Sequence, residues 1–436
     1  MLLSAVVASV ASPPAVADFI GHGGMVRSVA VSPDGARVLT ASFDYSVKLW
    51  AFSDQDLVRT MSGHTAPVNA VAFVADGRTA LSAGDDGTLI HWDVETGAPR
   101  WRTADLEAKL SDIAVAPDGA VAATVGWDGL VRLWNLDDGA EIASIHHDQG
   151  INAVASVRNG TAFATGDKAG VIRIWEASGA GEWRKIAELA GHTMAVTDLV
   201  DNPGGRSLLS TGIDGAARLW DLDTGLEIVA LRGHDGPVLA AAVSADGAAA
   251  LTAGRDGQVI VWSLASGLPK RSLAAHDEPV WSVAFTPDGR FGVSAGSDGS
   301  VRVWHLESGA RVGLEIADDT EPRPWETSTH PGARLYRACA RCHTLSPDGI
   351  SRSGPHLAGL FGRRVGSVPG YDYSPTLRRA TFTWNRETLT ALFAEGPHAY
   401  VPDSKMPLQR VSNPEDLSAL VDYLEELTAP RSGKTP

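Results

Sequence analysis

The chain of 436 residues is 44% hydrophobic and 20% charged, which gives length for two or three domains and too much apolar content for disorder. Its formal net charge of -15 repels phosphate backbones and anionic lipid, which makes nucleic acid and membrane surface poor first choices of partner. Only two cysteines occur, Cys339 and Cys342, so a disulfide-stapled scaffold is excluded as well.

Residues 2–11 (LLSAVVASVA) are apolar but too short to span a bilayer, and Ala15-Val16-Ala17 before Asp18 has the small-residue pattern of a cleavage site. No Lys or Arg precedes the apolar run. Residues 1–17 therefore read as a secretory signal peptide without its basic start, and the expectation is a soluble, periplasmic protein. No later stretch reaches the roughly 18 continuous apolar residues of a spanning helix, so no membrane span is expected.

A repeat follows. Trp50, Trp92, Trp134, Trp175, Trp220, Trp262 and Trp304 recur at spacings of 42, 42, 41, 45, 42 and 42. A period near 40–45 is that of propeller blades. Each tryptophan ends an alternating segment such as Ser46-Val47-Lys48-Leu49-Trp50, the mark of a half-buried strand. Turns such as Pro33-Asp34-Gly35, Ala75-Asp76-Gly77 and Pro287-Asp288-Gly289 stand upstream, and four short strands fit each unit. Seven four-stranded blades close a ring without leaving a long exposed edge. Residues 310–316 (ARVGLEI) have the length and alternation to supply the last outer strand, and are expected to do so in preference to residues 18–20.

Four positions inside the repeat stand at fixed offsets in five units: His22/Thr40/Asp44/Trp50, His64/Ser82/Asp86/Trp92, His192/Ser210/Asp214/Trp220, His234/Thr252/Asp256/Trp262 and His276/Ser294/Asp298/Trp304. Gly21-His22, Gly63-His64, Gly191-His192 and Gly233-His234 precede them, and Trp92-Asp93 and Trp220-Asp221 end two of them. On these residues the segment from about 19 to 316 resembles the WD40 family, and the resemblance implies that each set of four forms a hydrogen-bonded chain within its own blade. Histidines distributed one to a blade cannot converge on a metal. The third unit has Leu106 in place of His and the fourth Ala169 in place of Asp, so these two blades are expected to be looser. Gly292-Val293-Ser294-Ala295-Gly296 matches the nucleophile-elbow pattern, but Ser294 is one copy of the repeated hydroxyl and lies outside the strand-to-helix turn an elbow needs.

From 317 to 331 (ADDTEPRPWETSTHP) the pattern stops in proline and acid, which reads as a linker. Beyond it Cys339-Ala340-Arg341-Cys342-His343 is C-x-x-C-H, the attachment signal of c-type haem: two thiols on one helical turn each form a thioether to a vinyl group, and the next imidazole meets the iron. A structural zinc site would need a further ligand pair at finger spacing, and none is present. Asn413-Pro414-Glu415-Asp416 carries three helix-start signals and leads an apolar stripe, Leu417, Leu420, Val421, Leu424 and Leu427, expected to pack on the helix carrying Leu335 and Tyr336.

The stretch also contains Gly354-Pro355, Leu357, Gly359-Leu360, Gly362-Arg363, Gly370-Tyr371, Tyr373-Ser374, Trp384, Val401-Pro402 and Lys405-Met406, and with these it resembles the class I cytochrome c family of the mitochondrial and bacterial type. The resemblance implies one covalent haem c attached at Cys339 and Cys342, iron ligation by His343 and Met406, a Pro355 carbonyl that accepts a hydrogen bond from His343, and Tyr373 and Trp384 on the haem propionates. By residue type alone His356 and His398 stand as alternatives to Met406. The expected fold is thus multidomain: an all-β seven-bladed WD40 propeller over 18–316, a linker over 317–331, an all-α class I cytochrome c domain over 332–429 and a tail over 430–436.

A His/Met-ligated iron has no open position for substrate, which points to a one-electron carrier, with the propeller as a docking scaffold for redox partner proteins. The alternative is a haem-containing oxidoreductase whose propeller binds a substrate or second cofactor; no catalytic residue is identified for it. The C-terminal domain is near neutral while the rest holds the acidic excess. Arg337, Arg341, Arg363, Arg364 and Lys405 are therefore expected to form a basic rim that meets an acidic partner.

Overall fold

The computed structural model describes residues 18–179, 182–312, 324–340, 343–347, 354–369, 371, 373–401, 406 and 410–429. The leader at 1–17, the tail at 430–436, Arg341, Cys342 and Lys405 lie outside the described residues. Alternating apolar strands of about six residues, separated by Asp-Gly turns, form seven antiparallel sheets, six of them built from consecutive strands. Blade 1 consists of Val26–Val31, Arg37–Ser42, Ser46–Ala51 and Leu57–Ser62, from inner to outer, and blades 2 to 6 repeat that order.

The core lies between blades. The Trp92 ring of blade 2 is 1% exposed and shares one apolar cluster with Leu39, Val47 and Leu49 of blade 1. Burying a tryptophan removes roughly 200 Å² from water, worth at most about 5 kcal/mol, so the period seen in the sequence is the period of the inter-blade contacts.

The ring closes in a way that differs from the sequence expectation. Blade 7 has Val280–Phe285, Phe291–Gly296 and Ser300–His305, and two separate strands divide the outer edge of the last. Phe19–Ile20 pairs with Val301 and Ser300, while Arg311–Val312 pairs with Val303 and Trp304. Residues 310–316 were expected to supply the outer strand in preference to 18–20; Arg311–Val312 does pair there and 313–316 lie outside the described residues, yet Phe19 is fully buried, with its ring 5.6 Å from that of Trp50. Asp18 joins the two strands: its carboxylate accepts from Arg311 Nε at 3.0 Å and lies 3.7 Å from Arg302 Nε.

The C-terminal unit is helical among its described residues: α1 (Pro324–Thr327), α2 (Pro331–Ala340), α3 (Pro375–Arg379), α4 (Arg386–Glu395), α5 (Pro397–Tyr400) and α6 (Pro414–Thr428). Asn413 caps α6 by accepting from Glu415 N at 2.8 Å and Asp416 N at 3.2 Å, ahead of Pro414 in the first turn. Helices α2 and α6 cross closely at Gly332, where a Cβ would collide with the Ala419 carbonyl and Tyr423 Cβ. Tyr336, Leu417, Leu420, Val421 and Leu424 fill the crossing, as the apolar stripe implies. Trp325 comes from the segment read as linker, yet it is 7% exposed and its ring lies 5.2 Å from that of Tyr336 in the same core. Among the described residues no helix is long and apolar enough to cross a membrane.

Candidate haem site and propeller network

Helix α2 buries Cys339 in its last turn, where it is 4% exposed. His343 follows the helix end, and its backbone N–H donates to the Cys339 carbonyl at 3.0 Å. Its Nδ1 lies 2.7 Å from the Pro355 carbonyl oxygen. A carbonyl only accepts, so the proton is on Nδ1 and the lone pair on Nε2, the arrangement of a metal-binding imidazole oriented by its second nitrogen. Met406 and Trp384 are partly buried against the apolar core that contains Cys339, Leu357 and Leu360. His356 is turned to Arg363, 3.4 Å from its Nη1, and the side chain of His398 is outside the described atoms.

Arg363, Tyr373 and Trp384 share a chemistry. Arg363 donates to the carbonyls of His356 at 2.8 Å and Ala358 at 2.9 Å, so it braces the turn after Pro355 and does not lie free on a rim. Burial lowers its pKa, and no carboxylate pairs with it among the described residues. Tyr373 is buried, and its hydroxyl accepts from Val368 N at 3.3 Å, with no acceptor for its own proton among the described residues. Gly362 N donates to Trp384 O at 2.7 Å and Trp384 N to Arg363 O at 2.9 Å, which joins the backbone at Arg363 to the backbone at Trp384. A half-buried cation and two donors without an acidic partner suit a pair of carboxylates, such as the propionates of a haem. The donor set therefore fits the group: a thiol and an oriented imidazole on one side, a thioether within the same apolar core, and donors for two acids. Arg363 thus turns inward from the rim expected of it. Its position in the apolar run Leu360-Phe361-Gly362 was the available signal that it turns inward. Of the other proposed rim residues, Arg337 and Arg364 are exposed.

Each repeat histidine is engaged within its own blade. Among the described residues no group of three or more His, Cys, Asp and Glu is placed to bind one. In blade 1, His22 Nδ1 donates to Asp44 at 2.9 Å, while Nε2 stands 2.6 Å from Thr40 Oγ1, which also accepts from Trp50 Nε1 at 2.8 Å. The same chain recurs in blades 2, 5, 6 and 7. Burial pulls the pKa of His22 down despite Asp44 beside it.

Blade 4 rebuilds the chain and does not lose it. Asp167, fully buried two residues before Ala169, accepts from Arg173 Nη1 at 2.5 Å, and Arg173 Nη1 lies 3.2 Å from His147 Nδ1. An arginine only donates, so here the imidazole proton sits on Nε2, facing Thr165 Oγ1 at 3.1 Å, and the tautomer is the reverse of the other blades. The break expected at Ala169 is bridged by Arg173 and Asp167. Blade 3 keeps Trp134 Nε1 to Thr124 Oγ1 at 2.9 Å and turns Asp128 to Arg132 at 2.7 Å.

Comparison with known families agrees with this geometry. The WD domain, G-beta repeat model matches residues 14–51, 55–93, 103–135, 139–176, 183–221, 225–263 and 267–305, more than half of the chain. The cytochrome c model matches residues 330–428. The chain is 40% identical over 98 residues to cytochrome c of Cochliobolus lunatus, covering 22% of this chain and 90% of that protein. It is 40% identical over 98 residues to cytochrome c of Arabidopsis thaliana, covering 22% and 87%. This is a WD40-repeat protein with a C-terminal cytochrome c domain. The cytochrome c domain makes this chain a carrier of covalently attached haem c, and the WD40 propeller is a scaffold suited to protein interaction.

Proposed function

We propose that this WD40 cytochrome is a periplasmic electron carrier with one haem, bonded through Cys339 and Cys342 and ligated by His343 and Met406, and that its propeller holds a redox partner nearby. The observation that carries the reading is the His343 Nδ1 to Pro355 bond of 2.7 Å, which leaves Nε2 as the basic nitrogen. When bound, haem supplies reversible one-electron chemistry, and a thioether ligand raises its reduction potential. Arg363, Tyr373 and Trp384 anchor the propionates, and the Pro355 carbonyl keeps the imidazole in one orientation. Support for export comes from the leader pattern and from Asp18 and Phe19: cleavage after Ala17 keeps both residues, and both belong to the ring closure.

A spectroelectrochemical titration tests the carrier reading. The intact protein should give a single one-electron wave, and Met406→His should lower its midpoint. An unchanged midpoint would remove Met406 as ligand. Osmotic-shock fractionation of the native host tests export, with recovery in the cytoplasmic fraction alone counting against it.

A further inference from the structure

The seven blades repeat one contact that fails at one boundary. On the face where the first and second strands of each blade turn, a residue of one blade rests on the turn glycine of the next. Pro33, Val74, Pro117, Arg158, Asn202 and Pro287 do this at six boundaries. Three of the six are prolines: a methyl on Gly77, Gly160 or Gly35 would stand 3.4, 2.7 or 3.3 Å from the ring Cδ of Pro33, Pro117 or Pro287. Between blades 6 and 7 the turn offers only Ser244 and Ala245, and a methyl on Gly289 would meet nothing within 4 Å. A cleft of about 630 Å³ opens there, lined by Val261, Phe285 and Leu306 and by the charged Lys270, Arg271 and Asp288. That volume lies within the range of small-ligand pockets.

We propose that this cleft binds a proline-bearing loop of a partner protein. At three of the six filled boundaries the side chain on the notch is a proline, and the partly buried Phe285 and Leu306 offer a proline ring an apolar surface here. Leu306 and Glu307 in the cleft wall precede the strand Arg311–Val312, from which the chain continues to the haem domain. About eleven residues separate Val312 from α1, which limits the tether to roughly 40 Å. A partner seated in the cleft is thereby kept within reach of the haem domain. The inference rests on the reading of the propeller as a docking scaffold and adds to it the place and the chemistry of the docked segment.

The test uses the full-length protein and a fluorescein-labelled decapeptide with the sequence of residues 28–37 (SVAVSPDGAR), which carries Pro33 on its own turn. Fluorescence polarisation should show saturable binding. Substitution Ala245→Pro fills the notch with the residue that blades 1, 3 and 7 already carry, so the variant should fold with an unfolding midpoint no lower than the parent and bind the peptide at least tenfold more weakly. Ala245→Val serves as a second filling variant with the same expectation. Trp127→Ala, on the opposite face, should bind as the parent does. Equal binding by Ala245→Pro and the parent, no binding by the parent, or equal affinity for a peptide with alanine in place of proline would each overturn the proposal. Self-association of the protein that Ala245→Pro abolishes would give the cleft to a second copy, and overturn it too. The haem spectrum of the same samples reports on the carrier reading separately, so the two can fail independently.

Discussion

Phe19→Ala tests how the ring is held shut. The side chain is fully buried in the closing cluster with Val26, Val38, Trp50, Val293 and Val301. Removing a buried phenylalanine forfeits roughly 200 Å² of contact, at most about 5 kcal/mol, and such truncations in cores cost about 3–5 kcal/mol. Val312, on the other closing strand, is only partly buried, and Val312→Ala should cost about 1 kcal/mol. Guanidinium unfolding followed by tryptophan emission reports on the ring, since Trp50 touches Phe19 and most tryptophans are in the propeller. Against a typical domain stability of about 5–15 kcal/mol, Phe19→Ala should bring the transition to markedly lower denaturant. A loss under about 1 kcal/mol for Phe19→Ala, or a larger loss for Val312→Ala, would refute the view that the N-terminal strand carries the closure.

Arg173→Ala should destabilise blade 4 by about 3–5 kcal/mol in the same assay, because it leaves the fully buried Asp167 carboxylate without its cation. Burial, and then the charge of Arg173, push His147 down to about 4 in the folded protein, below its ordinary 6.5. The unfolded chain then takes up that proton first, so this contribution to stability is whole above about pH 6.5 and falls away toward pH 4. Unfolding midpoints measured across that window should decline less steeply for His147→Gln than for the parent; parallel curves would dismiss His147 as the source. Trp325→Ala should cost the haem domain about 3–5 kcal/mol, read as loss of helical circular dichroism at lower temperature, whereas a linker tryptophan would cost nothing.

Much of this molecule was legible because its signals repeat or cluster. The tryptophan period exposed the blades, since each ring fills an inter-blade contact, and Asn413-Pro414 marked α6, since a cap is a local device. Ring closure was half legible: the alternation at 310–316 pointed to the edge where Arg311–Val312 pairs, whereas Phe19–Ile20 is two residues long, too short to show any. Trp325 was masked by the prolines and acids around it. In blade 4 the missing Asp at 169 looked like a loss because its replacement at Asp167 works through Arg173, a pairing across the sheet that no fixed offset announces. The cleft at Ala245 was invisible for a different reason, since it consists of side chains that are too small to fill a place filled elsewhere.

The central claim is that this chain bonds haem covalently at Cys339 and Cys342. Acid–acetone extraction of the denatured protein, matured in a host that attaches c-type haem, measures it most directly. The account predicts that the porphyrin absorbance stays with the polypeptide, and that Cys339→Ala with Cys342→Ala releases it into the solvent. Complete extraction of the colour from the unmodified protein would contradict the claim.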